Sequence, residues 1–379
     1  MTKDSIPPAG GVYQKDENGE LTGSSRKRRP PRSSPPCSNS ARRKRTPASG
    51  SSWPTSTPRH HQRVRRVASG RTRRRLRARR RVPRAARARR PHRAHQHVPH
   101  RAGGSDSRRK LRDEFADNDL LRSPGLKQFF DGVSSTHTAW LSEPYSNAAH
   151  EGECGAPVTD PERMRTIVLG AAEEGFAVRI HTIGDKAIHT ALDIFEEARE
   201  KFGAPNGQNG LEHLENFLPG DIERLAELDV CANCQPPHTV LDPNGIERDL
   251  GPERAKLMWP YKSYLDAGVK FSFGTDSPVV DINSREVIYD AVTRQSPATG
   301  EPAGGWQPHE KIPAADAVRA YTLGSAIAAG RDDEVGSLTA GKLADLAVLD
   351  TDLVTCAPED ILGAKVLATY LDGKKVYEA

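Results

Sequence analysis

Residues 176–216 read FAVRIHTIGDKAIHTALDIFEEAREKFGAPNGQNGLEHLEN. The segment contains two β-rich runs, which end at His181 and His213, and one amphipathic helical pattern between them. The two histidines are separated by about the length of one βα unit, and (β/α)₈ barrels carry their chemistry at the carboxyl ends of such strands. The pattern therefore predicts a barrel of the α/β class with a site at the two histidines.

Strand and helix patterns alternate on both sides of this segment. Further β-rich runs lie at residues 125–132, 230–235 and 269–273, and amphipathic helical patterns separate them. Alternating strands and helices predict a parallel sheet. Five strands are recognisable where a complete barrel has eight, so residues 111–330 are predicted to form an incomplete barrel. Short strands and turns follow in residues 331–379, which predicts a small C-terminal β unit.

The composition favours a cytoplasmic protein that does not enter membranes. No apolar run approaches the roughly 18 residues that a membrane-spanning helix needs, and the N-terminal residues lack the apolar region of a secretory signal. The five cysteines have no spacing typical of a disulfide framework. Cys231 and Cys234 form the only close pair. Because a zinc ribbon needs two such pairs, we interpret both cysteines as strand residues.

A strongly basic tract interrupts an otherwise acidic chain. Residues 26–110 hold 30 of the 56 Lys and Arg residues but only one of the 50 acids, Asp106, whereas the whole chain has a formal net charge of +6. A segment so charged and so poor in apolar residues buries too little surface to fold, so residues 25–110 are predicted to be disordered. Residues 1–24 contain turn signals and are predicted to form a loop or hairpin.

Three interpretations of the basic tract are open. An arginine-rich arm would bind nucleic acid through its phosphates and with a strong salt dependence, although Trp53 is the only aromatic residue there that could stack on a base. A targeting segment would share the composition, but it should start at residue 1, where acids such as Asp4 and Asp16 occur. A frame-shifted translation of a GC-rich gene also gives Arg-, Pro- and Ala-rich sequence, and composition favours this interpretation.

Lys127, His181, His213 and Asp276 lie at predicted strand ends in a pattern that could bind a metal ion. Imidazole and carboxylate groups suit Zn²⁺ or a similar divalent ion and leave a position for water. The ion would lower the pKa of the water and polarise a carbonyl group, and Asp276 could accept the proton. Each residue alone has a plainer interpretation, as a core histidine, a turn aspartate or a surface lysine. Their shared position at strand ends favours the metal site.

Five short motifs together resemble amidohydrolase family 3, the YtcJ-like metal-dependent hydrolases. The motifs are His181-Thr-Ile-Gly-Asp-Lys-Ala187, Glu212-His213, Gln235-Pro-Pro-His238, Phe273-Gly-Thr-Asp-Ser-Pro278 and GSLTAGKLADLAVLD at residues 336–350. The resemblance covers residues 111–379, and residues 1–23 resemble an internal segment of the same family. It implies a distorted (β/α)₈ barrel with a β-sandwich. It also implies hydrolysis of C–N bonds other than peptide bonds in small amide- or imide-like substrates.

The resemblance also implies a role for each candidate site residue. One or two divalent ions, with zinc expected, would be held by His181 and His213. Lys127 would be carboxylated, because a carbamate offers two anionic oxygens that can bridge metals. Asp276 matches the carboxylate that orients and deprotonates the water, and His238 matches a position that contacts the substrate.

The chain departs from the family pattern at the start of the barrel. The family has a His-x-His pair on its first strand, and the candidate here, His95-Gln-His97, lies inside the basic tract without a preceding strand. A barrel of this kind needs about 250 residues. We therefore expect an N-terminally truncated or frame-disrupted hydrolase that is inactive or nearly so. The alternative is a nucleic-acid-binding protein with a basic arm on an inactive hydrolase scaffold.

Overall fold

The computed structural model describes residues 13–15, 21–25, 103–114, 121–123 and 125–379. The chain divides into two compact units, Met1–Arg87 and Ala88–Ala379. In the first unit the described residues form an antiparallel pair of strands, β1 (Tyr13–Lys15) and β2 (Leu21–Ser25). The predicted histidine pair His95-Gln-His97 and most of the basic tract lie outside the described residues.

Helix α1 (Gly103–Glu114) corrects one boundary of the predicted disordered tract, because its first residues belong to the segment 25–110. Two of its basic side chains have partners in the folded unit. Nη2 of Arg108 lies 3.3 Å from Oε1 of Glu174, and the guanidinium carbon of Arg112 lies 4.6 Å from the centre of the Phe176 ring. These partners are distant in sequence, so the charge of the segment alone does not reveal them. Disorder of residues 26–102 stays a prediction.

A five-stranded parallel sheet is the centre of the second unit, and its strands are neighbours in the order in which they follow in the chain. The strands are β3 (Leu126–Phe129), β4 (Val178–Thr182), β5 (Gly210–His213), β6 (Cys231–Cys234) and β7 (Phe271–Phe273). This arrangement confirms the predicted partial α/β barrel. Cys231 and Cys234 are buried strand residues, as predicted, and neither forms a disulfide.

Helices connect the strands of this sheet and continue after its last strand. They are α2 (Pro161–Glu173), α3 (Asp185–Phe202), α4 (Asp221–Glu227), α5 (Pro243–Leu250), α6 (Pro252–Ala255), α7 (Tyr261–Ala267), α8 (Ser284–Thr293), α9 (Ala314–Arg319), α10 (Ser325–Ala328) and α11 (Pro358–Gly363). Short helical turns occupy Ser134–Thr136, Pro236–Val240, Pro308–Glu310 and, with π-helical geometry, Ala320–Gly324. None of the helices in the described part of the chain is long and apolar enough to span a membrane.

The two faces of the sheet differ in character, as alternation along each strand requires. Ile180 and Leu211 belong to the hydrophobic core with Ile188 of α3 and are fully buried. Burial of each such side chain contributes about 1.5–3 kcal/mol to folding. The neighbouring strand positions are polar: Oε1 of Glu212 lies 3.6 Å from Nη1 of Arg179. One face is therefore core, and the other carries polar side chains that are half-buried or buried.

The C-terminal residues form the predicted small β unit. It is an antiparallel sheet of β8 (Leu346–Leu349), β9 (Val366–Leu371) and β10 (Lys374–Glu378), with β9 in the middle. Asp372 and Gly373 connect β9 to β10 with φ angles of 52° and 68°. Two successive left-handed residues suit the tight turn of a hairpin, and Asp-Gly is a preferred sequence for it.

Candidate metal centre

His181 and His213 lie at the carboxyl ends of adjacent strands, β4 and β5, and their imidazole rings face each other. The ring centroids are 4.4 Å apart and the ring planes meet at 66°. Burial lowers the pKa of His181 to about 4. Burial also lowers the pKa of His213 well below its ordinary value, and the neighbouring His181 adds to the effect. Both imidazoles are therefore neutral at pH 7, which is the form that binds metal ions.

Hydrogen bonds to carbonyl oxygens define the tautomer of each ring. Nδ1 of His213 lies 2.9 Å from the side-chain oxygen Oε1 of Gln235, and Nε2 of His181 lies 3.1 Å from the backbone oxygen of Gly132. A carbonyl oxygen only accepts, so each of these nitrogens carries the hydrogen. The lone pairs are then on Nε2 of His213 and Nδ1 of His181. A ligating imidazole whose other nitrogen donates to an oxygen is the usual arrangement at metal sites.

Lys127 lies on β3, on the polar face of the sheet beside the two histidines. Its Nζ is 3.9 Å from Oε1 of Glu212 and 5.5 Å from the centre of the Phe129 ring. Burial lowers the pKa of Lys127, while the charges of Glu212 and Asp276 oppose this effect. An ammonium group donates hydrogen bonds and cannot ligate a metal. Lys127 can therefore contribute a ligand only after it loses this charge, for example by carboxylation.

His238 and Asp276 come from the loops after β6 and β7. The His238 ring is nearly parallel to that of His213, with the centroids 6.2 Å apart. Its Nε2 is buried and has no hydrogen-bond partner among the described residues. Burial lowers the pKa of His238, and the charge of Asp276 opposes this. Asp276 itself is exposed and has a left-handed backbone, with φ 51°. The structure thus places His181, His213 and His238 side by side, and the charges of Lys127 and Asp276 are close enough to affect each other.

The residues present fit a divalent metal in part. Two neutral imidazoles with defined lone pairs are suitable donors. A catalytic zinc ion commonly takes three protein ligands. Within the described ranges, however, no three side chains of His, Cys, Asp or Glu come close enough together to hold an ion. The described part of the chain therefore supplies an incomplete ligand set.

Asp131 is a site residue that the sequence pattern did not reveal. Its carboxylate is buried and accepts hydrogen bonds from the backbone N–H groups of Trp140 at 2.9 Å, Ile183 at 3.0 Å and Gly184 at 2.8 Å. It also lies 3.9 Å from Nε2 of His181. Burial raises the pKa of Asp131 to about 7. The signal available in sequence was its position two residues after the end of β3, but Asp131-Gly132 reads there as a turn.

Glu215 is a second acid that sequence reasoning missed. His213 and Leu214 have φ angles of 75° and 55°, so the chain turns in the left-handed region directly after β5. Such conformations are uncommon for residues other than glycine. The turn places the Glu215 carboxyl 3.3 Å from Oγ of Ser134, in the loop after β3. Burial raises the pKa of Glu215 to about 8, and the charge of Asp131 contributes.

Comparison with known proteins agrees with this architecture. The sequence profile described as "Amidohydrolase family" matches residues 1–377. Protein LONG AFTER FAR-RED 3 of Arabidopsis thaliana is 35% identical over 254 residues, which are 67% of this chain and 42% of that protein. N-substituted formamide deformylase of Arthrobacter pascens is 33% identical over 264 residues, 68% of this chain and 46% of that enzyme.

A solved structure shows the same fold relationship. An uncharacterised metal-dependent hydrolase from Pyrococcus horikoshii superposes with a TM-score of 0.56 at 27% identity, covering 67% of this chain and 50% of that chain. The chain thus spans half or less of the length of each of these relatives. The predicted resemblance to metal-dependent hydrolases is confirmed. The protein belongs to the amidohydrolase family.

Proposed function

We propose that this chain carries part of the catalytic centre of a metal-dependent hydrolase that acts on C–N bonds, other than peptide bonds, of small amide-like molecules. The observation that carries the proposal is the pair of neutral, buried imidazoles of His181 and His213, 4.4 Å apart at adjacent strand ends. The name of one relative, N-substituted formamide deformylase, describes removal of a formyl group from nitrogen. That chemistry supports the bond class.

The proposed ligands are His181 and His213, with Lys127 as a third after carboxylation, and the expected ion is Zn²⁺, singly or as a pair. When bound, the ion would polarise the carbonyl group of the substrate and lower the pKa of a bound water molecule. Asp276 accepts a proton at its carboxylate and passes it to the leaving nitrogen. The unpartnered Nε2 of His238 holds the polar atom of the substrate beside the histidine pair.

We further propose that the chain alone has low activity or none. The described residues gather no three-ligand cluster of His, Cys, Asp and Glu, and Asp276 is exposed to solvent. An exposed carboxylate is a poorly positioned base, because water competes for its hydrogen bonds. Weak metal binding and slow turnover follow from these two features.

Metal retention and amide hydrolysis test this function together. The whole chain is equilibrated with Zn²⁺ and dialysed, its metal content is measured by mass spectrometry, and formanilide and acetanilide serve as substrates. The double variant His181→Ala, His213→Ala is the control. We expect the unmodified chain to retain more zinc than the double variant, at less than one ion per chain, with slow turnover. Equal zinc contents in the two proteins would contradict the proposed metal site. Stoichiometric zinc with rapid turnover would contradict the proposed low activity.

The cysteines support a further proposal on location. Cys154, Cys231, Cys234 and Cys356 are all free in the described part of the chain. Unpaired cysteines are typical of reducing compartments. We therefore propose a cytoplasmic location. Labelling of the thiols in intact cells with a membrane-permeant and an impermeant maleimide would test this location.

A further inference from the structure

Gln235 is a buried amide at the end of β6 that contacts one of the proposed metal ligands. Its Oε1 lies 2.9 Å from Nδ1 of His213, and its Nε2 donates to the backbone oxygen of Asn233 at 3.4 Å. The side chain is 5% exposed. The amide oxygen therefore contacts a ring nitrogen, and the amide nitrogen contacts a carbonyl oxygen.

The chemistry of these two contacts orients the amide. The NH₂ group of Gln235 can only donate, and the backbone carbonyl of Asn233 can only accept, so NH₂ faces Asn233. The amide oxygen must then face His213. Because this oxygen accepts, Nδ1 of His213 must carry the hydrogen, and the lone pair is left on Nε2.

The orientation is maintained by strands on both sides of β6. Asn233 Oδ1 accepts from Oγ of Ser272 on β7 at 2.7 Å, and its Nδ2 donates to the backbone oxygen of Leu211 on β5 at 3.2 Å. Asn233 is buried. The carbonyl that orients Gln235 thus belongs to a residue held by β5 and β7, so the amide has little freedom to rotate.

We propose that Gln235 is a positioning residue that keeps His213 in its Nδ1–H tautomer and directs the Nε2 lone pair into the site. The effect of Gln235 on metal binding rests on the proposed function, whereas the tautomer of His213 does not depend on it. Gln235 does not act as a ligand itself. It acts through His213, as hydrogen-bond partners of ligating histidines commonly do.

Nitrogen chemical shifts of the histidine rings in the metal-free chain test the tautomer directly. We expect His213 to be Nδ1–H in the unmodified protein and in Gln235→Glu, because a carboxyl group at this position keeps an acceptor toward Nδ1. In Gln235→Leu the acceptor is lost, and we expect a mixture of tautomers. Gln208→Leu is the matched control, since the Gln208 side chain makes its hydrogen bonds with Asn209, Asp229 and Lys270. It should leave the His213 signals unchanged.

Zinc affinity gives the second readout, measured by competition with a chromogenic chelator. Loss of a hydrogen-bond partner of this kind lowers metal affinity by roughly 10–100-fold, so we expect that loss in Gln235→Leu, recovery in Gln235→Glu and no change in Gln208→Leu. An Nε2–H tautomer of His213 in the unmodified protein would overturn the proposal even if Gln235→Leu fails to fold. If the unmodified chain binds no zinc while His213 is Nδ1–H, the proposed function fails and the positioning role stands.

Discussion

Asp290 on α8 is a fully buried acid outside the candidate metal centre. It is 0% exposed, and neither carboxylate oxygen has a hydrogen-bond partner among the described residues. Burial raises its pKa to about 8, and the charge of Glu286 adds to the shift. An ionised carboxylate in such a place would be costly, so the carboxyl is protonated in the folded protein at neutral pH.

Asp290 should make the protein less stable as the pH rises. The folded state holds the proton up to about pH 8, whereas the unfolded chain releases it near its ordinary pKa of 3.8. Between these values the folded state binds more protons, so this contribution to stability is complete below about pH 4 and is lost as the pH rises toward 8. We expect Asp290→Asn to remove this loss, so that its stability relative to the unmodified chain rises between pH 4 and pH 8.5 by roughly 4–6 kcal/mol.

Urea unfolding at pH 4, 6 and 8.5 measures this effect through the shift of the midpoint between the two proteins. The exposed Asp281 is a matched control, and Asp281→Asn should shift the midpoint little at any pH. A stability difference between Asp290→Asn and the unmodified chain that does not change with pH would contradict the protonated state.

At the level of elements, the edge of β7 is covered by the helical segment that follows it later in the chain. Oγ of Ser325 donates to the backbone oxygen of Phe273 at 3.1 Å. A side-chain carbon on Gly324 would lie 2.3 Å from the backbone oxygen of Phe271. The π-helical turn Ala320–Gly324 therefore approaches the strand so closely that only glycine fits. This cover protects an edge that would otherwise be open to pairing with another chain.

Gly324→Ala should separate this segment from β7 and destabilise the protein by about 1–3 kcal/mol, because backbone atoms cannot give way as a flexible side chain can. Gly170→Ala in α2 is the matched control. Apart from its chain neighbours and the backbone of its own helix, no atom lies within 4 Å of the position that its new carbon would take. We therefore expect the free energy of unfolding to rise by about 0.4–1 kcal/mol. Thermal unfolding of the two variants measures both effects, and equal melting temperatures would show that the cover is loose.

At the level of the whole molecule, the separation of charge along the chain predicts how it meets polyanions. Residues 26–110 carry 30 basic residues and one acid, while the remaining chain has an excess of acids. We expect the full chain to bind duplex DNA at low salt without sequence preference, and the affinity to fall steeply with salt. Deletion of residues 26–102 should abolish this binding. Fluorescence anisotropy over a salt series measures it, and a marked preference for one DNA sequence would favour a functional arm instead.

The sequence by itself determined the alternation of strands and helices, the C-terminal β unit and the position of His181 and His213 at strand ends. These features are local, because the period of apolar residues reports which face of an element is buried. Composition distinguished the basic tract from the rest of the chain, but it did not reveal that α1 begins inside the segment predicted to be disordered. The partners of Arg108 and Arg112 are far along the chain.

Only the tertiary structure decided the directions of the hydrogen bonds in the site and the burial of its side chains. The left-handed turn at His213 and Leu214, the three N–H donors around Asp131 and the amide of Gln235 depend on contacts between different strands and loops. The exposure of Asp276 likewise depends on what packs against β7. A sequence motif states which groups are present, but hydrogen-bond direction and burial are set by neighbours distant in sequence. That is why motifs were enough to propose five candidate residues, whereas Asp131, Glu215 and the tautomers and pKa values of the histidines could not be predicted from them.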